Sequence, residues 1–256
     1  MIKLNNASYN IIIVGVGGTG SHLVSFLAQL IGNNKDYANK HKIILIDGDI
    51  VEEKNLKTQK FLQEDVGKSK AEVLADRYSS VFKLDIQYMD RYLTDEKDLK
   101  NITTRNTIIV SCVDNNKARK IIDNAFNSSS PTNRYSYIYD QELIYIDTGN
   151  TSGEDELVGQ TVVAYKKGSD IILPSVSTYF PAILEEQDTI ITTPSCGEVI
   201  NSNIQNIGAN ITSACTTFNI LNNIIGFNQI TSDLTLFNAT QLTSNNMKLN
   251  INNINN

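Results

Sequence analysis

A glycine-dense segment, Gly15-Val16-Gly17-Gly18-Thr19-Gly20-Ser21, separates a continuous aliphatic run at residues 9–14 from an apolar stripe at Leu23, Phe26, Leu27 and Leu30. The run reads as a parallel strand covered on both faces, and the stripe has helical spacing, so the glycines occupy a strand-to-helix turn. In that context G-x-G-x-x-G is a phosphate-binding fingerprint. Glycine permits positive φ and close approach of backbone to an anion, which the free N–H groups and positive dipole end of the helix then stabilise. Gly15, Gly17, Gly18, Thr19, Gly20 and Ser21 are the expected contacts, Ser21 through its hydroxyl. Packing alone can also demand glycines in such a turn. What favours a nucleotide is the acid that follows the next strand.

That acid is Asp47, at the end of a predicted strand over residues 42–46, where a carboxylate accepts hydrogen bonds from both ribose hydroxyls. Asp49 has two open readings, a second site acid or a loop cap. The fingerprint by itself does not separate NAD from ATP.

The pattern beyond Asp47 stays α/β. Apolar spacing predicts a helix over 69–82, a short strand over 85–89, a buried strand over 107–112 that breaks at Asp114, and a helix over 118–126. Strand, acid, helix is the order of a doubly wound fold. The polar connection at 32–41 reads as a helix end or a loop. After a loop at 128–131, strands are expected at 139–146 and 158–165. Residues 168–194, with three of the four prolines, read as a long crossing loop. A helix over 201–225 with Gly226 as its stop, a hairpin over 234–249 that closes the sheet, and a frayed tail at 251–256 complete the chain. The expected fold class is α/β, a Rossmann-like doubly wound sheet whose parallel first half is extended by antiparallel strands and a C-terminal hairpin. It is expected to form one domain over 1–250, with a nucleotide-binding half at 1–127 and a second half at 128–250.

Composition excludes other classes. The chain has 22 Lys+Arg against 28 Asp+Glu and no basic block, which argues against nucleic acid as a main ligand. Its longest apolar runs fall far short of the roughly 18–20 residues that span a bilayer, and its start lacks a signal-peptide pattern, so no membrane is expected. Cys112, Cys196 and Cys215 form no C-x-x-C pair, consistent with a reduced cytoplasm and no structural metal. Cys112 on a core strand and Cys215 on an apolar helix read as packing residues, and His22 and His41 as structural or solvated.

The continuation Asp47-Gly48-Asp49-Ile50-Val51-Glu52-Glu53-Lys54-Asn55-Leu56-Lys57-Thr58-Gln59, then Asp65-Val66-Gly67-Lys68-Ser69-Lys70-Ala71, then Asp114-Asn115 with Arg119, resembles the ThiF/MoeB/HesA adenylyltransferases related to ubiquitin-activating enzymes. Residues 11–126 carry the likeness most specifically. The stretch from Lys70 to Tyr78 and Pro194-Ser195-Cys196 are also similar to ThiF-related proteins of PRTRC cassettes. The resemblance implies ATP-dependent activation of a carboxylate, such as the C-terminus of a small ubiquitin-like or sulfur-carrier protein. It also implies a homodimer paired through the Rossmann layer. By resemblance Lys70 contacts the phosphates, Asp114 holds magnesium, and Asn55 and Gln59 position the triphosphate. Taken singly, Lys70 can be a surface helix lysine and Asp114 a helix cap.

The family's arginine in N-L-x-R-Q falls at Thr58, a neutral hydroxyl in place of a planar cation. The chain begins almost directly at its first strand, so no N-terminal helix is expected to lend an arginine to a neighbouring subunit. Lys57 or Lys60 can compensate, and Arg119 joins them as a cation to test if Lys70 does not serve the phosphates. Cys196, ahead of the 201–225 helix, can take the acyl group as a thioester or be an unreactive thiol. Two other classes stay open, a nucleotide-binding scaffold that has lost turnover and an NAD-dependent oxidoreductase, the latter without a recognisable hydride-transfer constellation.

Overall fold

The computed structural model of the protein describes residues 1–38, 40–129, 141–152, 157–184 and 206–247. After the short β1 (Ile2–Lys3), the chain forms β2 (Asn10–Val14), α1 (Gly18–Gly32), α2 (Lys35–Ala38), β3 (Lys42–Ile46), α3 (Lys70–Phe82), β4 (Ile86–Met89), α4 (Glu96–Lys100), β5 (Asn106–Ser111) and α5 (Asn116–Ser128). The second half adds β6 (Glu142–Ser152), β7 (Leu157–Lys167), β8 (Asp170–Leu173), α6 (Val176–Tyr179), α7 (Ile207–Phe227), β9 (Gln229–Ile230), β10 (Leu234–Asn238) and β11 (Thr243–Met247).

Among the described residues, one sheet runs in the order β11-β10-β7-β6-β5-β2-β3-β4, with β8 also paired to β7. The strands from β4 to β6 are parallel, and β7, β8, β10 and β11 extend the sheet antiparallel. The Rossmann-like expectation therefore holds, antiparallel extension and closing hairpin included. β2 sits between β3 and β5, in register Ile11 to Ile43 and Ile11 to Ile108. From β2 the chain winds one way to β3 and β4, then crosses back to β5. The crevice beside the carboxyl end of β2 is thus a topological switch point, where ligands bind in open α/β sheets.

Period-2 alternation splits β2 between the two faces. Ile11 and Ile13 enter a core with Leu23 and Leu27 of α1, Leu74 of α3 and Leu221 of α7. Ile12 and Val14 enter the other, with Leu99 of α4 and Ile122 and Phe126 of α5. Each such burial contributes about 2 kcal/mol, which is why this strand reads as unbroken aliphatic sequence.

Three local expectations need correction. Residues 168–184, the described part of the expected crossing loop, are not a loop throughout. Gly168, at φ +60°, turns the chain into β8 against β7, and α6 and a 3-10 turn at Pro181–Leu184 follow. The Ile171 to Leu173 run was too short to show a period. The helix expected to stop at Gly226 continues to Phe227 and ends on Asn228 at φ +51°, a left-handed position asparagine tolerates. The 32–41 connection is the end of α1 plus a separate turn of helix, α2. The tail at 251–256 and Cys196 lie outside the described residues.

Two buried polar clusters secure the sheet end opposite the switch point. Glu142 accepts hydrogen bonds from the Tyr9 hydroxyl at 2.5 Å, the Tyr165 hydroxyl at 3.1 Å and the Asn5 amide at 3.1 Å. His41 is also buried, and its Nδ1 accepts the Tyr9 N–H at 3.3 Å. Burial pushes the His41 imidazole down to about 4, with the Lys40 charge adding to the shift. An unfolded imidazole titrates near 6.5, so below that pH the unfolded chain takes up a proton the folded one refuses. His41 thus contributes stability that is full above pH 6.5 and is lost as pH falls from 6.5 through 4. Urea denaturation at pH 7 and pH 5 should show the parent losing about 2 kcal/mol more than His41→Gln between those values. Equal losses would contradict this account of His41.

Candidate functional site

The turn leaving β2 is shaped by contacts that only glycine permits. Gly15 has φ +82°, and a Cβ there would lie 2.9 Å from the Cys112 carbonyl oxygen at the end of β5. A Cβ on Gly20 would lie 2.0 Å from the Gly15 carbonyl oxygen. The chain therefore folds tightly back on itself and starts α1 at Gly18, whose first-turn N–H groups have no partner within the helix. Their dipole end faces the crevice, a favourable place for an anion.

β3 delivers the acids. Asp47 Oδ2 accepts the Val16 N–H at 2.7 Å and Oδ1 accepts the Asp49 N–H at 2.8 Å. Each oxygen keeps a second lone pair, so the carboxylate can brace the glycine turn and still accept from a diol. Burial pushes its pKa up, while the two backbone hydrogen bonds and Lys70 pull it back.

Residues 49–51 and 67–70 form a small backbone ladder. Val51 N–H donates to the Lys68 carbonyl, Gly67 N–H to that of Val51, and Lys70 N–H to that of Asp49, at 2.8, 2.8 and 3.0 Å. Gly67 at φ +88° makes the bend, and Asp65 fixes it by accepting the Leu62 N–H and pairing with Arg77. The ladder places Lys70 Nζ 2.8 Å from Asp49 Oδ2, with the lysine side chain 7% exposed. Burial raises the Asp49 carboxyl, but the hydrogen bonds from Lys70 and Tyr92 outweigh it and leave the pKa below the usual value. The Tyr92 ring packs on Gly48, and its hydroxyl donates to Asp49. The hydrogen bond to Asp49, burial and then the charges of Asp49, Asp47 and Asp114 push the Tyr92 phenol up to about 12, so these acids converge on one locality.

The stretch between the two sides of the ladder roofs the turn. Asn55 is buried and accepts the Glu52 N–H at 2.8 Å, a capping contact for the 3-10 turn Glu53–Lys57. Gln59 is buried with Oε1 unpartnered, and its Nε2 is 3.7 Å from where a Gly17 Cβ would stand. Thr58 sets its carbonyl 3.3 Å from His22 Nε2, and burial lowers the His22 pKa. Ser21 is not turned toward the crevice as expected of a hydroxyl donor. It is fully buried, accepts the Lys60 N–H at 3.1 Å and donates to the Gly18 carbonyl at 3.4 Å, pinning the 58–61 segment to α1.

Asp114 is exposed just beyond β5, and Asn115 caps α5 by accepting the Ala118 N–H at 2.9 Å. The capping role that sequence left open for Asp114 thus belongs to its neighbour. Arg119 does not face the crevice as a spare cation: its guanidinium turns inward to Asp147 at 3.4 Å and to two backbone carbonyls.

Sequence reasoning missed Asn150 and Asn210. Asn150 Nδ2 donates to Asn210 Oδ1 at 3.1 Å and to Thr19 Oγ1 at 3.3 Å, and a Cβ on Gly18 would stand 2.6 Å from Asn210 Nδ2. Both asparagines come from polar positions on elements far away in sequence, and only the topology brings them to the glycine turn. Among the described residues, no group of three or more His, Cys, Asp or Glu could hold a metal ion by itself. Asp114 fits the role of a single carboxylate beside a magnesium ion that phosphates and water otherwise surround.

The model of the ThiF family matches residues 2–255. Among solved structures, PaaA has a TM-score of 0.59 at 14% identity, covering 94% of this chain and 64% of its own. E. coli MccB crystallised with AMPCPP and MccA scores 0.58 at 17% identity, covering 94% and 64%. E. coli MccB crystallised with ATP scores 0.57 at 17% identity, covering 95% and 65%. These likenesses show the fold, and the chain spans about 64% of the length of PaaA. Among curated proteins, none matches the sequence. No described helix is long and apolar enough to cross a membrane.

Proposed function

Because the chain belongs to the ThiF family, we propose that it binds ATP at the β2–β5 switch point and adenylates a carboxylate presented by a partner protein or peptide. The observation that carries this reading is the buried Lys70 ammonium, held 2.8 Å from Asp49 and two residues from Asp47. An ordinary surface helix lysine is solvated, and this one is fixed where a triphosphate running from Asp47 to the start of α1 would pass. The ladder between 49–51 and 67–70 explains why the sequence spacing from Asp47 to Lys70 matters.

In the reaction a carboxylate oxygen attacks the α-phosphorus, the Pα–O bond to the β-phosphate breaks, and acyl adenylate and pyrophosphate result. Asp47 holds the ribose, the α1 N–H groups receive phosphate oxygens, and Lys70 exchanges Asp49 for the triphosphate. Asn55 and Gln59 orient the triphosphate as neutral groups. Magnesium, when bound at Asp114, neutralises phosphate charge. Directed donors in a crevice that excludes water are worth more than the same groups in solution.

Charge is scarce in this site. Thr58 offers no cation and Arg119 is committed inward. Lys57 and Lys60 are exposed on the 53–61 segment. This favours, as second reading, a nucleotide-binding scaffold with weakened turnover. The partner in the first reading is a small ubiquitin-like or sulfur-carrier protein or a short peptide, as E. coli MccB was crystallised with MccA. Cys196 is the proposed acyl acceptor. The one-domain organisation over 1–250 and a cytoplasmic setting belong to the same reading.

A homodimer belongs to it as well. Neither α1 nor α7 carries an Asp, Glu, Lys or Arg, and Phe26, Leu30, Cys215 and Phe218 line a groove of about 680 Å³ between them. An uncharged two-helix face suits burial against a second copy. Sedimentation at micromolar concentration is expected to show the dimer, and monomer alone would exclude it.

ATP–pyrophosphate exchange measured with a carboxylate partner tests the activity. Exchange should require the partner and fall at least 100-fold in Lys70→Ala, and Thr58→Arg should raise it or leave it unchanged. Survival of exchange within about threefold in Lys70→Ala, less than about 1 kcal/mol of transition-state stabilisation, would overturn the role of Lys70. Tight ATP binding with no exchange from any partner would establish the scaffold reading.

A further inference from the structure

The inward turn of Arg119 has a geometry that a stability role does not require. Arg119 lies in the first turn of α5, one helical step beyond Asp114 and Asn115. Its Nη2 donates to the Val113 carbonyl at 3.0 Å and to the Thr148 carbonyl of β6 at 3.3 Å. Its Nε stands 3.4 Å from Asp147 Oδ1. The carbonyl it grips belongs to the residue immediately before Asp114. The same turn rests on the glycine segment, since Cys112 N–H donates to the Val14 carbonyl at 2.8 Å and the Cys112 carbonyl meets Gly15. One guanidinium therefore ties the end of β5, the edge of β6 and the start of α5 together, with Asp114 projecting from the tied turn.

Space and charge are set aside for it. A Cβ on Gly149 would lie 2.8 Å from Arg119 Nη2, so glycine is what lets the fork reach two carbonyls. Asp147 is 1% exposed, accepts the Tyr145 hydroxyl at 3.1 Å and has the Ser111 hydroxyl beside its carboxylate. Arg119 Nε makes no hydrogen bond of good geometry. A buried ion pair with unsatisfied capacity is a poor device for stability, because desolvation offsets most of the attraction. It is a good device for holding a planar fork in one orientation.

We propose that Arg119, oriented by Asp147, is a positioning residue that fixes the Val113–Asp114 turn and so sets the Asp114 carboxylate for the divalent cation accompanying the triphosphate. This rests on the ATP reading above. It also explains why Arg119 does not replace the cation missing at Thr58. Lysine does not replace it, because a single ammonium on a flexible stem lacks the planar fork whose separate Nε and Nη2 face the carboxylate and the two carbonyls.

The test compares ATP affinity with magnesium and with EDTA, by calorimetry on the full chain, in the parent, Asp114→Ala, Arg119→Lys and the double variant. Arg119→Lys is expected to weaken magnesium-ATP binding about tenfold while leaving metal-free ATP within twofold. Asp114→Ala should show the same split, and the double variant should lose no more than the larger single loss. A merely structural role would weaken both forms of ATP alike, or add to the Asp114 loss, and either result overturns the proposal. Gly149→Ala, which crowds Nη2 and leaves every charged group in place, should give the same split if Arg119→Lys fails to fold. An even loss there overturns the proposal as well. A parent that binds no ATP would sink the ATP reading itself, and an unaffected Asp114→Ala would sink the magnesium role of Asp114 and this inference with it. A normal Asp114 effect with no split at Arg119 would sink only this inference.

Discussion

The Asp47 carboxylate bridges the end of β3 to the turn that leaves β2, and the rest of the site is arranged around that bridge. Its oxygens take the N–H groups of Val16 and Asp49. The first contact fixes the entry to the glycine turn. The second fixes the backbone on which the 49–51 and 67–70 ladder is built. Because Lys70 is delivered by that ladder and α1 starts from that turn, the acid, the ammonium and the helix N-terminus are placed by one carboxylate. Two aliphatic strands, β2 and β5, hold the frame from below through fully buried isoleucines.

The site is poor in positive charge and rich in amides. Lys70 is buried against Asp49, Arg119 is turned to Asp147, and Gln59, Asn150 and Asn210 approach the glycine segment. Neutral amides stabilise an anion less than guanidinium does, since charge-assisted hydrogen bonds are about twice as strong. On the proposed ATP reading, nucleotide recognition rests on backbone N–H groups and the chemistry leans on one lysine.

Much of this frame was legible in the residues. β3 runs over residues 42–46 as predicted, because Asp47 and Lys42 bound an aliphatic run, and α3 begins at Lys70 after its Ser69 cap. What sequence could not show was direction. Ser21 reads as an anion donor and Arg119 as a fallback cation, yet both spend their polar atoms inside the fold. Hydroxyl and guanidinium are equally suited to phosphate and to backbone carbonyls, and only tertiary placement decides. Asn210 was hidden for a related reason: helical spacing does not show what a polar position faces, and its place over Gly18 comes from α7 lying across α1. β8 was lost because a four-residue strand beside prolines has no readable period.

The central claim is that Asp47 binds the ribose of ATP while bracing the turn. Titration of ATP, adenosine and NAD into the parent and Asp47→Asn, with melting curves alongside, tests it most directly. Asparagine can still accept from Val16 or Asp49 but loses the charge that holds two ribose hydroxyls. The account predicts micromolar ATP binding by the parent, no comparable NAD binding, and at least tenfold weaker binding of both ATP and adenosine in Asp47→Asn, which loses one of the two backbone contacts and still folds cooperatively with a melting temperature lowered by a few degrees. Equal ATP affinity in parent and variant, or NAD bound more tightly than ATP, would contradict it.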